Sequence, residues 1–329
     1  MRNGFLNPDI SVVVVTHNRR PEVMRTVSSL LHLPERPEII VVDNASEDGT
    51  PQRLALAYPG LRVVRCETNL GAAARNLGAA QVATRYVAFS DDDTDWQPGS
   101  LAAAVDLLER RPTVGVLNAR VVVGEERSLD PTCQLMDDSP LHSPGDPLPR
   151  LIGFMAGACV FRTALFRELG GYEPRLFIGG EEALLSLDVL QTGHEIAYAP
   201  QLEVHHRPSL ARDSAARRRL LARNAALVAW LRLPHTEAMA ATWRAVGVAC
   251  REARTREDLD ALWGGIGWAR RERRPVAGRV LRMREAVREA QRGRRQAPAR
   301  GLAASSRGPA GPHGAPNPQT PRSDSQAHA

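Results

Sequence analysis

The sequence predicts an α/β fold: a mostly parallel, twisted sheet flanked by helices, followed by a C-terminal helical appendage and a disordered tail. Continuous β-branched runs alternate with helical segments over the first two thirds of the chain, which is typical of parallel strands joined by helices. The remaining third is rich in Arg, Ala and Leu, and its last part lacks the large apolar residues that a core requires. We therefore expect a sheet domain at 1–210, a helical region at 211–292 and a disordered tail at 293–329.

The first two strand-and-helix units can be followed along the chain. Residues 10–16 form a continuous β-branched run, as expected of a strand that is covered on both faces. Pro21 suits the first turn of a helix whose apolar residues recur with helical spacing. A second strand at 38–42 leads into a polar turn at 43–50, and Pro51 suits the start of a second helix.

The alternation of strands and helices then continues, with less distinct boundaries between them. Residues 124–150 are rich in Pro, Asp, Ser and Gly, which predicts a long loop over the site or a short excursion at the sheet edge. A fourth strand begins at Arg85. The other predicted strands are 61–64, 114–123, 153–161 and 195–199, and the other predicted helices are 72–83, 101–110, 163–169, 183–191, 213–231, 236–252 and 279–292.

Four carboxylates in five positions follow the fourth strand: Asp91, Asp92, Asp93 and Asp95. Their mutual repulsion requires a cation or a set of donors. Carboxylates at i and i+2 just past a strand end can share one Mg²⁺ or Mn²⁺ that keeps positions open for phosphate oxygens. A calcium loop fits poorly, because Trp96 stands where such a loop needs Gly. A solvated acidic turn without a ligand is the other alternative.

Charge divides the chain into two parts. Residues 1–210 carry 19 Arg against 27 Asp and Glu, a net charge of −8, whereas 211–329 carry 24 Arg against 10 acids, a net charge of +14. The four Cys are scattered without metal-ligand spacing, which indicates reduced thiols. There is neither a signal-peptide core nor an apolar run of 18 residues. We expect a cytoplasmic protein, soluble or peripherally attached at the inner face of the membrane.

Four motifs carry a resemblance to a known family. They are VVVVTHNR at 12–19, VVDNASEDGT at 41–50, NLGAAARNLG at 69–78 and SDDD at 90–93, in this order. Over about residues 9–210 the chain resembles a family 2 glycosyltransferase with the GT-A fold. The resemblance implies an inverting, nucleotide-sugar-dependent enzyme of the hexosyl- or deoxyhexosyltransferase type.

The resemblance implies that residues after the first strands bind the donor nucleotide. Asp43 would accept hydrogen bonds from imide N–H groups of the base, whereas without a ligand it would only shape a polar turn. Arg75 would face the nucleotide or its phosphates, since guanidinium binds phosphate through paired hydrogen bonds; the alternative is an exposed helix position. The other residues implied to line the nucleotide are Thr16, Asn18 and Arg19.

The resemblance also implies a divalent-metal site. Asp93 would hold Mg²⁺ or Mn²⁺ against the donor diphosphate, with Asp91 as a further ligand, and Asp91 or Asp92 would lie near the ribose. His205, after the last strand, would bind the metal or a phosphate. His206 is the adjacent alternative, and because neighbouring side chains of an extended segment point to opposite sides, we expect only one of the two to reach the site.

On the acceptor side, the GGEE segment at 179–182 resembles the acidic pair of the family. One carboxylate would take the proton from the acceptor hydroxyl as that hydroxyl attacks the sugar. Family position favours Glu182, and Glu181 is the alternative because Glu stands here where Asp is commoner. Leu184 replaces a second acid of the commoner pattern. Without a catalytic role, both Glu residues would be helix N-terminal acids that interact favourably with the helix dipole.

The leading prediction is a metal-dependent inverting glycosyltransferase. Its donor would be a UDP-, GDP- or dTDP-sugar, and its acceptor a hydroxyl of a cell-surface glycan, a lipid-linked saccharide or a secondary metabolite. A sugar nucleotidyltransferase would need a Gly-rich, basic phosphate loop after the first strand, where this chain has Thr-His-Asn-Arg. The non-enzymatic alternative is an inactive binding module whose basic C-terminal region contacts an anionic membrane or nucleic acid. We expect no specific nucleic-acid partner.

Overall fold

The computed structural model describes residues 9–142, 145–208, 215–251 and 255–296. Within these ranges ten strands form one mixed sheet. The strands are β1 (Ile10–Thr16), β2 (Glu38–Asp43), β3 (Arg62–Arg65), β4 (Tyr86–Asp91), β5 (Thr94–Trp96), β6 (Val114–Val123), β7 (Ser128–Leu129), β8 (Arg150–Leu151), β9 (Ala158–Arg162) and β10 (Glu195–His206). Their order is β3-β2-β1-β4-β9-β6-β10-β5, with β7 beside β6 and β8 beside β10.

Helices flank the sheet and make up most of the C-terminal third. They are α1 (Arg20–Leu31), α2 (Thr50–Ala57), α3 (Ala74–Gln81), α4 (Ser100–Arg110), α5 (Pro131–Asp137), α6 (Thr163–Glu168), α7 (Glu181–Thr192), α8 (Ala215–Arg232), α9 (His235–Arg251), α10 (Thr255–Arg271) and α11 (Gly278–Gln296). Two short 3₁₀ turns, Gly71–Ala73 and Pro174–Leu176, precede α3 and α7. The predicted α/β architecture is confirmed.

The parallel half of the sheet brings the polar strand ends together. β1 pairs in parallel with both β2 and β4, so that Thr16 stands opposite Asp43 and Val15 stands opposite Asp91. β1, β2 and β4 are mostly apolar and almost fully buried along their length, because helices cover both faces. Their carboxyl ends therefore form one polar edge, where ligands bind in sheets of this kind.

The other half of the sheet is more antiparallel than the sequence predicted. β9 runs antiparallel between β4 and β6, and the short β5 runs antiparallel to β10. The sequence predicted a last strand that ends before Pro200, but β10 continues to His206. A register shift between Ala199 and Glu203 allows this, since a bulge accommodates a Pro that lacks a ladder N–H. The longer strand carries His206 to a position opposite Thr94.

Two further segments can be compared with the predictions. Of the two alternatives for 124–150, the structure excludes the long continuous loop, because the segment contains β7, which pairs with β6, and α5, whose first turn is capped by Asp130 accepting from the Thr132 N–H at 2.7 Å. α10 is not among the predicted helices, since three Gly interrupt its apolar pattern. α11 extends to Gln296, and the rest of the predicted tail lies outside the described residues, as do residues 209–214, which span the predicted domain boundary at 210.

The C-terminal helices pack against the helix that begins with the predicted acidic pair. Arg232 at the end of α8 binds Asp188 of α7 through both oxygens, with NH2 3.0 Å from Oδ2. In the described ranges, no helix combines the length and the apolarity needed to cross a membrane.

Candidate active site

A tight turn between β4 and β5 carries the acidic cluster. The Ser90 hydroxyl donates to the Thr94 carbonyl at 2.7 Å, and the Thr94 hydroxyl accepts from the Asp91 N–H at 2.8 Å. This turn divides three of the four carboxylates between two guanidinium partners. Asp91 pairs with Arg75 of α3. Asp92 and Asp93 both pair with Arg19, which follows β1. The compensating cations that the acid cluster requires are therefore partly supplied by the chain itself.

Arg19, which follows β1, faces two of these acids. Its NH1 lies 2.9 Å from Asp92 Oδ1, and its NH2 lies 2.9 Å from Asp93 Oδ2. The Thr16 hydroxyl donates to Asp92 Oδ2 at 2.9 Å. Both acids are buried, and burial raises the pKa of Asp92 to about 7, although Arg19 opposes this shift. Thr16 and Arg19, which were predicted to line the nucleotide, thus contact the acidic cluster directly.

The two adjacent His of β10 point to opposite sides of the sheet. His206 Nε2 lies 3.6 Å from Asp93 Oδ1, and the interaction with this carboxylate raises the pKa of His206. Burial would raise the pKa of Asp93, but the interactions with His206 and Arg19 hold that pKa below its usual value. His205 instead contacts the Gly124 carbonyl at 2.7 Å. His205 was the residue predicted for the metal site. In the structure it is His206 that faces Asp93, because strand alternation turns His205 away from this carboxylate.

A divalent cation fits the pair formed by Asp93 and His206. Two ligands in adjacent positions, each about 2.1 Å from one ion, are about 3 Å apart, which is close to the observed 3.6 Å. Asp91, the other predicted ligand, has its carboxylate turned toward Arg75. Among the residues with described positions, no group of three or more His, Cys, Asp and Glu side chains is arranged to hold a metal ion. Any such ion would therefore need oxygen atoms from water or from a bound ligand to complete its coordination.

Arg75 links the acidic cluster to the acidic pair of α7. Its guanidinium is buried, pairs with Asp91 and lies 5.7 Å from the ring centre of Tyr172. Burial opposes the charge of Arg75, but the nearby Asp91 and Glu182 carboxylates stabilise it and raise its pKa. The alternative of an exposed helix position for Arg75 is excluded.

The acidic pair begins α7, directly after Gly180. Glu182 accepts a hydrogen bond from the Ala156 N–H at 2.7 Å, and burial nevertheless raises the pKa of Glu182 to about 7. Burial also raises the pKa of Glu181. Within the described part of the chain, Glu181 Oε2 is buried without a hydrogen-bond donor. A carboxylate with a pKa near 7 can exchange a proton with a substrate at neutral pH, which is the property a general base requires.

Asp43 and Asn18 play different parts at the ends of β2 and β1. Asp43 is fully buried, and no side-chain or backbone group among the described residues donates a hydrogen bond to its carboxylate. A cation lies nearby at Arg65, whose Nε is 3.7 Å from Asp43 Oδ2. Asn18 lies at φ 53° and holds the turn after β2, accepting from the Glu47 N–H at 2.7 Å. Asn18 therefore shapes the loops at this edge of the sheet, whereas Asp43 offers unsatisfied acceptors.

Several residues that hold the site together were not predicted from the sequence. Asn44 accepts from the Leu70 N–H at 2.8 Å and so ties the end of β2 to the loop before α3. Arg207 donates its backbone N–H to the Asp93 carbonyl at 2.8 Å. Asn224 of α8 contacts the loop before α7. Of these three residues, only Asn44 lies inside one of the four sequence motifs, so no sequence signal pointed to the roles of Arg207 and Asn224.

Known proteins resemble this chain in sequence and in fold. Residues 11–170 match the family model described as glycosyl transferase family 2. The chain carries a family 2 glycosyltransferase domain. The glycosyltransferase is 29% identical over 244 residues to the N-acetylglucosaminyl-diphospho-decaprenol L-rhamnosyltransferase of Mycobacterium tuberculosis, covering 63% of this chain and 79% of that one. It is 27% identical over 236 residues to the pre-mycofactocin glycosyltransferase of the same species, covering 69% and 49%.

Solved structures share the architecture of this glycosyltransferase. The Pyrobaculum calidifontis mannosyltransferase PcManGT, solved with GDP-Man and Mn²⁺, superposes with a TM-score of 0.53 at 21% identity, covering 88% of each chain. GalNAc-T7, solved with UDP, GalNAc and Mn²⁺, superposes with a TM-score of 0.58 at 19% identity, covering 83% of this chain and 57% of that one. At these identities the similarity concerns the fold, which is the GT-A fold that the motifs implied.

Proposed function

We propose that the enzyme transfers a sugar from a nucleoside-diphosphate sugar to an acceptor hydroxyl, with a divalent cation, in a single displacement that inverts the anomeric carbon. One observation carries the proposal: Asp43, Arg75, the acid turn and Glu182 lie along one edge of the sheet, with Arg75 in electrostatic contact with both Asp91 and Glu182. A donor bound along this edge would have its base near Asp43 and its reacting carbon toward Glu182.

The chemistry of Asp43 supports nucleotide binding. A buried carboxylate without donors is costly, and the imide N–H of a uracil or guanine base would supply a hydrogen bond to it. Arg75 and Arg19 supply positive charge on the path from the base to the reacting end of the donor. We assign Thr16, Asn18, Arg19, Asp43 and Arg75 to the nucleotide, with Asp91 or Asp92 near the ribose.

The metal role falls to Asp93 and His206. Their facing atoms fit one Mg²⁺ or Mn²⁺, and the two similar structures solved with Mn²⁺ support a cation in this fold. When bound, such an ion would neutralise charge on the departing nucleoside diphosphate. Arg19 already binds Asp93, so it would hold that carboxylate in orientation while its other nitrogen binds Asp92.

Glu182 is the general base in this proposal. Its ionised carboxylate would accept the proton of the acceptor hydroxyl while that oxygen bonds to the anomeric carbon and the diphosphate leaves. The Ala156 N–H holds Oε1, so the side chain is oriented before the acceptor arrives. Burial is the main cause of the raised pKa of Glu182, and the negative charge of the adjacent Glu181 raises it further.

For the acceptor, we propose a lipid-linked saccharide. The support is the similarity to the mycobacterial rhamnosyltransferase, which covers 79% of that relative and whose name specifies a decaprenol-linked diphosphosugar. By the same similarity the transferred sugar is a hexose or deoxyhexose.

Thermal unfolding with a panel of UDP-, GDP- and dTDP-sugars tests the donor proposal. A donor at about 100 times its Kd should raise the Tm by about 5 °C, since it binds only the folded protein. We expect the rise with Mn²⁺ and not with EDTA. Asp43→Ala should abolish it, whereas Asp106→Ala, an exposed acid of α4, should retain it. A panel without any nucleotide-dependent rise would contradict the proposal.

The His pair provides an internal control for the metal assignment. His206→Ala should raise the Mn²⁺ concentration needed for half-maximal activity by about 10- to 100-fold or more, because even indirect partners of metal ligands contribute this much. His205→Ala, which removes the contact with the Gly124 carbonyl, should leave the Mn²⁺ requirement unchanged. Titration of activity with Mn²⁺ measures both, and the reverse order of effects would return the assignment to His205.

A further inference from the structure

The segment 176–180, which leads directly into the acidic pair, has an unusual backbone. Phe177 lies at φ 60° and ψ −72°, and the Ile178 N–H donates to the Leu176 carbonyl at 2.7 Å. These values describe a γ-turn of the rare, strained kind. Gly179 and Gly180 follow at φ 83° and 98°. Such a segment adopts one conformation only where its surroundings fix it.

The loop before α3 fixes one side of this turn. The Ala72 N–H donates to the Phe177 carbonyl at 2.7 Å. A Cβ at Gly71 would lie 2.2 Å from the same carbonyl oxygen, so only Gly allows this approach. α3 begins two residues after Ala72 and carries Arg75. The γ-turn is thus tied to the helix that supplies the donor-side guanidinium.

Asn224 of α8 fixes the other side. Its side chain is fully buried, and its Nδ2 lies 2.6 Å from the Leu176 carbonyl, 3.1 Å from Ile178 O and 2.6 Å from Gly179 O. A Cβ at Gly180 would lie 3.1 Å from Cβ of Asn224, so helix and loop are in close contact. The two N–H donors of the amide thus serve three carbonyls around the strained turn, one of which, that of Leu176, also accepts the γ-turn bond.

Burying Asn224 in this position costs stability, which indicates that its amide has a role there. Asn224 Oδ1 is buried with no hydrogen-bond donor among the described residues, and an unsatisfied buried acceptor lowers stability. α8 and α7 have a separate attachment, the ion pair of Arg232 with Asp188. Helix docking therefore has a support besides Asn224, whereas the Asn224 amide contacts the backbone of 176–179 directly.

We propose that Asn224 is a positioning residue for the acidic pair: it locks the γ-turn at Phe177 and thereby fixes Glu181 and Glu182 relative to Arg75. α8 lies outside the segment that matches the family model, so in this enzyme the C-terminal helical region completes the active site. The effect on turnover rests on the proposed function of Glu182, whereas the effect on the loop does not.

The test compares Asn224→Leu, which keeps the volume but removes the donors, and Asn224→Ala with wild type in the full chain. Amide hydrogen exchange at 177–182 should become at least about tenfold faster in both variants, because the turn opens locally. With the donor identified by the thermal panel, kcat for transfer or for donor hydrolysis should fall about 100-fold, as expected of a base displaced by about 1 Å. The nucleotide-dependent rise in Tm should persist.

Arg232→Gln is the matched control, since it breaks the ion pair at the same helix interface. It should lower the Tm while leaving exchange at 177–182 and kcat unchanged. A folded Asn224→Leu protein with wild-type exchange in this segment would overturn the proposal, as would an equal loss of kcat in Arg232→Gln. If wild type gives no nucleotide response, the proposed function fails, and the exchange comparison still decides the role of Asn224.

Discussion

Replacing Glu182 with Gln is expected to lower kcat for transfer by about 10³-fold, within the range typical of lost general-base catalysis. Gln keeps the shape of the side chain and can still accept the hydrogen bond from the Ala156 N–H. It cannot take a proton from the acceptor hydroxyl. Donor binding should therefore be unchanged, and nucleotide-dependent thermal shifts measured beside initial rates would separate the two effects.

Glu181→Gln is the matched control, because this residue begins the same helix and is also buried. Glu181→Gln removes a neighbouring negative charge and should therefore lower the pKa of Glu182. It should lower kcat less than Glu182→Gln does. If Glu181→Gln instead abolishes transfer while Glu182→Gln retains it, the base is Glu181. Equal and small effects of both changes would remove the acidic pair from the mechanism.

The pH dependence gives a second measure of Glu182. Burial raises its pKa to about 7, so the base is mostly protonated at about pH 6 and mostly ionised at about pH 8, and kcat should rise between these values.

The same raised pKa of Glu182 predicts a cost in the stability of the folded protein. Because the folded-state pKa is above the unfolded one, the native protein binds more protons between the two, and stability falls as pH rises toward about 7. Glu182→Gln should therefore have a higher Tm than wild type at about pH 8.

Much of this site could be predicted because parallel strands align their carboxyl ends. Once 10–16, 38–42 and the strand at Arg85 were identified, Thr16, Asp43 and Asp91 had to lie on one edge, and the structure places them there. The motif residue Arg75 follows the same logic, since α3 returns to the sheet beside β1 and β2. Local patterns thus determined which elements supply the site.

What could not be predicted depends on contacts between distant segments. The choice between His205 and His206 required the register of β10 against β5, and a Pro near its middle concealed the length of that strand. Asn224 lies 45 to 48 residues from the carbonyls that it binds. From the sequence, the Arg-rich composition of its helix predicted only a positively charged region. No local pattern reports that a helical amide caps a strained turn elsewhere.

The cation proposal depends most strongly on Asp93. Asp93→Asn keeps the volume but removes the charge that draws His206 and Arg19 together. The loss of several kcal/mol of charge stabilisation should lower kcat/KM by about 100-fold or more and abolish the effect of Mn²⁺ on donor binding. Kinetics and thermal unfolding with and without Mn²⁺ would measure this.

A readout independent of turnover comes from His206. The interaction with Asp93 is the largest cause of the raised pKa of His206, so Asp93→Asn should lower that pKa in an NMR titration of the metal-free protein. Asp95→Asn is the matched control, because Asp95 lies two residues away but pairs with Arg207. It should reduce stability without changing the Mn²⁺ response. A Mn²⁺-dependent donor shift that survives in Asp93→Asn would mean that the cation binds elsewhere, and Asp93 would then act only by orienting Arg19 and His206.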